Sequence, residues 1–351
     1  MTAPRVFVTN FNKNFTGVSA TAAGVVAEQK MNLNLRLVGV SLPNCPTPIS
    51  KREAVAMCRV RPDGLPFSIW HVRRNTEMRV AIWVRDVLKR PIKIVFTSAA
   101  KRRHSAYPRW LISKMDALIA TTPEAATYVA NVWSVVPHGV ATDRFVTVKD
   151  RAKSWASLGY GGAFGVACVG RIRPEKGTDT FVDALLKVLP QHPGMIALIV
   201  GRAAPEHQAF ERTLRDKISN AGLADRLLFV GEISAEEMPT LMASISLLVA
   251  LPRYEGYGMT PLEAMSCGTP FVGSRTGYFD AFSDCGRNGT VVALGDDLGA
   301  VNAINNWVAT GVTNSVARSL RAFTEKHYSV VREAAEIQAV YQRLWDGEKE
   351  P

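Results

Sequence analysis

Glu255 and Glu263, with seven residues between them, bracket the segment Gly256-Tyr257-Gly258-Met259-Thr260-Pro261-Leu262. Two carboxylates this close can accept hydrogen bonds from the neighbouring hydroxyls of one ligand. Gly256 and Gly258 allow tight turns and let a ligand approach the backbone. Pro261, Leu262, Ala264 and Met265 suit a helix whose first turn lies near Met259 and Thr260. The unpaired N–H groups and dipole of such a helix start favour an anion. Carboxylates for hydroxyls, beside a helix end for phosphate, suit a sugar nucleotide.

Cys168-Val169-Gly170-Arg171-Ile172-Arg173-Pro174-Glu175-Lys176-Gly177 is the second concentration of chemistry. It follows an apolar run, so the turn sits at the carboxyl end of a strand, where open parallel sheets bind ligands. Arg171 can fork onto a pyrophosphate, and Lys176 adds a point charge. Together they can neutralise the charge that builds on a departing nucleoside diphosphate. A solvated basic turn has the same composition. The Walker-A phosphate loop does not occur.

In the first half, Ile69-Trp70-His71-Val72-Arg73-Arg74-Asn75 sets His71, two arginines and an asparagine at the end of an apolar run. Thr97-Ser98-Ala99-Ala100-Lys101-Arg102-Arg103-His104 follows another. Phosphate or acceptor binding and a solvated charge run fit Lys101 and Arg102 equally. Phe15-Thr16-Gly17-Val18-Ser19 is a glycine turn after the first strand, and Phe229-Val230-Gly231-Glu232-Ile233 ends a strand of the second half. With no Asp-x-Asp pair at a strand end, no metal ligand and no cofactor is expected.

The elements that must position these residues alternate. Apolar runs at 5–9, 35–42, 67–71, 92–97 and 117–121 read as strands and 135–140 as the last strand and its exit, with helical patterns at 19–28, 76–87 and 107–114. The second half repeats the plan at 164–169, 195–200, 226–230, 246–251, 270–274 and 290–294. Its helices are expected at 178–189, 206–220, 235–243 and 260–267, the third opening on the capping box Ser234-Ala235-Glu236-Glu237. Such alternation predicts an α/β protein with parallel sheets covered on both faces. Residues 146–163 are the linker candidate, and 330–345 read as a final amphipathic helix.

At 351 residues the chain has room for two domains, and 47% hydrophobic against 21% charged residues excludes a disordered chain. No apolar run approaches the roughly 20 residues that span a bilayer. The N-terminus enters a strand without a signal-peptide core, and the five cysteines are dispersed, so a reducing cytoplasm is expected. Residues 1–150 hold 22 Lys and Arg against 9 Asp and Glu, a balance of +13, while the remainder carries −2. An anionic partner for the first half alone is the reading, unless the excess only aids solubility.

Glu255 and Glu263, with Gly256 to Met265 as context, resemble the Glu-x7-Glu signature of retaining glycosyltransferases of GT4 type and GT-B architecture. Gly170-Arg171 with Glu175-Lys176-Gly177 resembles the same family's diphosphate clamp. Trp70-His71 with Arg73-Arg74-Asn75 and Glu77-Met78 is similar to mannosyltransferases that build the inner core of bacterial lipopolysaccharide. Pro137-His138-Gly139-Val140-Ala141-Thr142-Asp143-Arg144-Phe145 resembles the exit from the family's first domain, with Ala141 where Asp is commoner.

The resemblance covers nearly the whole chain and is strongest over 164–283. It implies two Rossmann-like doubly wound domains facing an interdomain cleft: an acceptor domain at 1–155, with a C-terminal helix at 330–351 packing back on it, and a donor domain at 156–329. It also implies transfer of mannose from GDP-mannose to the Kdo-containing inner core of a lipopolysaccharide precursor, with retention, by same-face substitution and without metal. Glu255 and His71 would then reach the sugar, Arg171 and Lys176 the leaving group, and Glu263 the ribose. Gly17, Gly231, Glu232, Gly256, Tyr257, Gly258, Met259 and Thr260 would line the donor. Arg73, Arg74, Lys101 and Arg102 would hold an anionic lipid-linked acceptor at the inner face of the cytoplasmic membrane, with no nucleic acid partner. A sugar-nucleotide epimerase of the same architecture, and a non-catalytic binder of anionic membrane or nucleic acid, are the alternative readings.

Overall fold

The computed structural model describes residues 4–14 and 16–348, so Phe15 and residues 349–351 of the expected final helix lie outside the described residues. The chain divides into two compact units, Met1–Gly139 with Tyr328–Pro351, and Val140–His327.

In the first unit β1 (Val6–Asn10), β2 (Leu35–Gly39), β3 (Ser68–Val72), β4 (Ile92–Ser98), β5 (Ala117–Ala120) and β6 (Val132–Val135) form one sheet in the order β2-β1-β3-β4-β5-β6. Every pairing is parallel. Alternation along the strands divides the core. Val6, Val8 and Ile69 face Val25, Ile337, Val340 and Tyr341, while Phe7, Trp70 and Val72 face Met78, Ala81 and Leu111. The first of these layers is helix Gly17–Gln29 packed on helix Val330–Trp345. The final helix thus belongs to the first unit, because its buried stripe Ile337, Val340, Tyr341 and Leu344 completes that core.

The second unit holds β7 (Phe164–Val169), β8 (Met195–Val200), β9 (Leu227–Gly231), β10 (Leu247–Ala250), β11 (Phe271–Ser274) and β12 (Gly289–Val292), in the order β12-β11-β10-β7-β8-β9. These pairings too are parallel. Strands such as β8, buried at every residue, are apolar throughout because both sheet faces are covered. The two sheets are those of doubly wound α/β domains, as the sequence implied.

Three expectations change. The boundary lies at Gly139/Val140 rather than 155/156. The linker candidate 146–163 contains helix Arg151–Ser157, started by the Asp150 carboxylate accepting from Lys153 N at 2.9 Å. That helix joins the second unit: Trp155 is buried there, and Arg151 donates to the carbonyls of Ile245 and Gly268. The last strand of the first sheet is Val132–Val135, so it ends where 135–140 was expected to begin it, and Pro137 and Gly139 belong to the exit. The Ser234–Glu237 box forms as expected, with Glu237 N donating to Ser234 Oγ at 3.2 Å, although the helix itself starts at Met238.

Candidate functional site

In the second unit the chain moves outward from β7 to β9 in one direction and from β10 to β12 in the other. The order therefore reverses between β7 and β10, and ligands of open parallel sheets bind beyond the strand ends at such a point. The two motif loops leave those two strands. They are stitched together by the backbone, Arg253 N donating to Glu175 O at 2.9 Å, and by Arg253, whose guanidinium meets Asp179 at 2.7 and 2.9 Å. Gly177, at φ +67°, lies so close to the β10 exit that a Cβ would come within 1.8 Å of Leu251 O. No other residue fits that turn without displacing the loop.

This stitching brings Lys176 Nζ to 2.6 Å from Glu255 Oε2. The other carboxylate oxygen accepts from Gly256 N at 2.8 Å, and Glu255 N donates to Thr276 Oγ1 at 3.2 Å. A cation and an anion, each half-buried, are held in contact in the absence of ligand. The pair can open toward a polar ligand that offers phosphate to Lys176 and hydroxyls to Glu255. Arg171 is exposed, and its guanidinium has no side-chain partner among the described residues, so it is available to an anion.

Helix Met259–Ser266 starts after Gly258, at φ +95°, with no side chain capping its first N–H groups. A Cβ at Gly258 would stand 2.1 Å from Phe279, whereas one at Gly256 would meet only open space. Met259 and Thr260 form the open first turn. Glu263 lies one turn on, partly buried, and that burial pushes its carboxyl up to about 7 while the Arg144 guanidinium pulls the other way. Gly231 ends β9 at φ +78°, and Glu232 beside it lies 3.6 Å from Arg202 on the surface. Tyr257 departs from expectation. It is buried, stacks on Tyr278 at 5.5 Å and meets Phe282 edge-on. Its ring props the loop from beneath, and its carbonyl accepts from Tyr278 N.

The first sheet reverses between β1 and β3, and a second polar cluster forms there. Its organiser is Glu77, fully buried, which accepts from Thr9 Oγ1 (3.0 Å), Phe11 N (3.2 Å), Arg73 N (2.8 Å) and Arg74 Nη1 (3.1 Å). Arg74 also donates to Asn10, Thr16 and Ser19, bracing the start of helix Gly17–Gln29. Its expected acceptor contacts are therefore already taken by the protein. Arg73 differs: its Nη1 is buried without a hydrogen-bond partner. Desolvation weakens its hold on the proton, against the pull of Tyr341, Glu333 and Glu77. Gly17 has open space where a Cβ would stand.

His71 lies near the end of β3, as expected, but is fully buried, with Nδ1 2.6 Å from Tyr341 Oη and Nε2 2.7 Å from Thr97 Oγ1. Burial, helped by Arg73, drives its proton affinity well below the usual range, so the imidazole is neutral. As folded, both ring nitrogens are engaged, and an unmet donor toward a sugar is lacking. His138 is likewise tied down, Nδ1 lying 2.7 Å from Glu333. Lys101 pairs with Glu124 at 3.2 Å, while Arg102 is exposed. Sequence reasoning gave no role to Glu77, Asp179, Thr276 or Glu333. Of these only Glu77 carried a local signal, an acidic residue in the first turn of helix Asn75–Ile82.

Comparison with known proteins gives a consistent result. The profile of the glycosyl transferases group 1 family matches residues 151–327. The chain is 37% identical, over 97% of its length and 97% of the relative's, to the lipopolysaccharide core biosynthesis mannosyltransferase LpsB of Rhizobium meliloti (strain 1021). It is 35% identical, over 97% and 96%, to the lipopolysaccharide core biosynthesis mannosyltransferase LpcC of Rhizobium leguminosarum bv. viciae. Among solved structures, Anabaena HepE in complex with UDP superposes with a TM-score of 0.80 at 18% identity, covering 96% of this chain and 99% of that one. At that identity the likeness concerns the fold.

Proposed function

The chain belongs to the glycosyl transferases group 1 family and is a glycosyltransferase; from that premise we propose that it transfers mannose from GDP-mannose to the inner core of a lipopolysaccharide precursor, with retention. The observation that carries the site assignment is the Lys176–Glu255 contact of 2.6 Å where the strand order reverses. Two mannosyltransferases of lipopolysaccharide core biosynthesis, similar over nearly the full chain, support the sugar and the acceptor class.

In this reading the β-phosphate of the donor takes Lys176 and Arg171, whose positive charge stabilises the departing diphosphate. Glu255, released from Lys176, accepts from sugar hydroxyls and faces the cationic transition state. The C1–phosphate bond breaks as the acceptor oxygen bonds C1 on the same face, and the acceptor proton passes to a phosphate oxygen. Arg73, with its unmatched Nη1, suits a carboxylate of a Kdo-type acceptor. The protein works without metal, at the inner face of the cytoplasmic membrane. No helix among the described residues is long and apolar enough to cross a membrane, so attachment would be peripheral.

The direct test is thermal stabilisation by a panel of GDP-, UDP- and ADP-sugars, since a ligand that binds only the folded state raises the melting temperature. GDP-mannose is expected to give the largest shift. A larger shift with a UDP-sugar overturns the donor assignment and leaves the family intact.

Glu263 adds a pH dependence. A ribose hydroxyl donates best to an ionised carboxylate, and burial raises the carboxyl to about 7, so the ionised form becomes the major one only as pH passes that value. Nucleotide affinity is therefore expected to rise between about pH 6 and about pH 8, by up to about tenfold per unit on the acid side. Glu263→Gln should lose that rise, and the titration of the nucleotide's own phosphates cancels in the ratio of the two proteins. Parallel profiles in calorimetry would remove Glu263 from the ribose.

A further inference from the structure

Three of the four exposed large aromatics among the described residues, Trp83 (48%), Tyr107 (51%) and Trp110 (52%), lie on one layer of the first unit. Helix Asn75–Ile82 runs on into a π-helical turn, Trp83–Val87, and packs beside helix Ala106–Ile112. Both helices bury their inner sides in the same core, through Met78, Ala81, Val84, Leu111 and Ile112. Their outer sides therefore leave the same face of the sheet. There Tyr107 and Trp110 stack at 6.2 Å and 17°, and Lys114 Nζ stands 6.0 Å over the Trp110 ring.

Apart from Asp86, the exposed charges on these two helices and on the segment leading into the second are cationic. Arg79, Arg102, Arg103, Arg109 and Lys114 are exposed. The nearby acids are matched already, Asp86 by Arg85 at 2.7 Å and Glu124 by Lys101 at 3.2 Å. Exposed rings with an apolar body and a polar tip, set among cations, match the interfacial layer of an anionic bilayer, where Trp and Tyr concentrate. Charge attraction alone would not require them.

We propose that this face, carried by Tyr107, Trp110 and Trp83 with Arg102 and Arg103, docks on an anionic lipid bilayer, the rings entering the headgroup region. The proposal rests on the reading of the acceptor as lipid-linked, and it adds to simple charge attraction an apolar component that salt does not screen. The stacked pair supplies that component, and the arginines supply the preference for anionic lipid.

The test is flotation of the full chain with neutral phosphatidylcholine vesicles and with vesicles also containing phosphatidylglycerol, at low and high salt. Wild type is expected to float with the anionic vesicles and to keep part of that binding in high salt. Tyr107→Ala/Trp110→Ala should lose about tenfold or more in binding, including the salt-resistant part, while Arg102→Glu/Arg103→Glu should lose the anionic preference. Brominated acyl chains should quench wild-type tryptophan fluorescence, and Trp110→Phe should reduce that quenching. Because the rings are exposed, all variants should keep the melting temperature and the thermal shift given by the sugar nucleotide. That shift tests the transferase reading separately. Wild-type vesicle binding by the aromatic variant at both salts overturns the proposal. So does a vesicle-free dimer abolished by the same substitutions, since a second copy would then cover the face.

Discussion

Glu255→Gln is expected to lower sugar transfer by about 10³-fold or more while leaving the free nucleoside diphosphate bound, because in the proposed role it removes a charge that serves the cationic sugar and nothing that serves phosphate. The substitution keeps the side chain's size. It also keeps an oxygen able to accept from Gly256 N, now 2.8 Å from Glu255 Oε1, so the loop has no reason to move. What goes is the negative partner of Lys176, at present 2.6 Å away. A Lys176 without that partner is freer to meet phosphate, so diphosphate affinity should hold or improve. Single-turnover transfer and calorimetry with the free diphosphate read the two effects separately. A variant that transfers at near wild-type rate, or loses the diphosphate as badly as it loses transfer, would show that Glu255 does not serve the sugar.

Lys176→Ala and Arg171→Ala carry the complementary expectation. In the proposed mechanism each removes a donor to the anion that forms on the leaving group, a loss that typically lowers the rate by roughly 10²–10³-fold. Stability should hardly change. Arg171 is exposed, and the Lys176–Glu255 pair, with side chains 26% and 20% accessible, contributes about 0–1 kcal/mol once solvent screening is included. The two substitutions should compound less than additively, because both act on one diphosphate. Near-normal transfer by a folded double variant would transfer the leaving-group role to another part of the molecule.

Much of the fold was legible because parallel strands buried on both faces are local apolar runs. β7 and β8 match their sequence limits residue for residue. Helices were harder. Asp297–Thr310 contains Gly299, Asn302, Asn305 and Asn306, poor helix formers, and is held by burial of Ala300, Val301, Ala303 and Ile304 instead. The helix inside the expected linker was hidden for a similar reason: seven residues, Arg151–Ser157, gain their stability from Trp155 and Arg151 docking on distant chain.

The candidate site divides in the same way. The sequence alone determined where its loops are, since the glycines of 256–258, the uncapped helix start and the basic turn 170–177 express their chemistry within a few residues. It could not say which charges meet. Lys176 and Glu255 are 79 positions apart and touch only because the sheet sets β7 beside β10. His71 reads as a sugar contact at a strand end until Tyr341, 270 positions away, and Thr97 fill both its ring nitrogens. Tyr257 reads as a ligand contact until Tyr278 and Phe282 enclose its ring. Turn chemistry and strand periodicity are short-ranged and survive in the chain as written. Whether a polar group faces a ligand or a neighbour depends on desolvation by segments that only the folded sheet brings together.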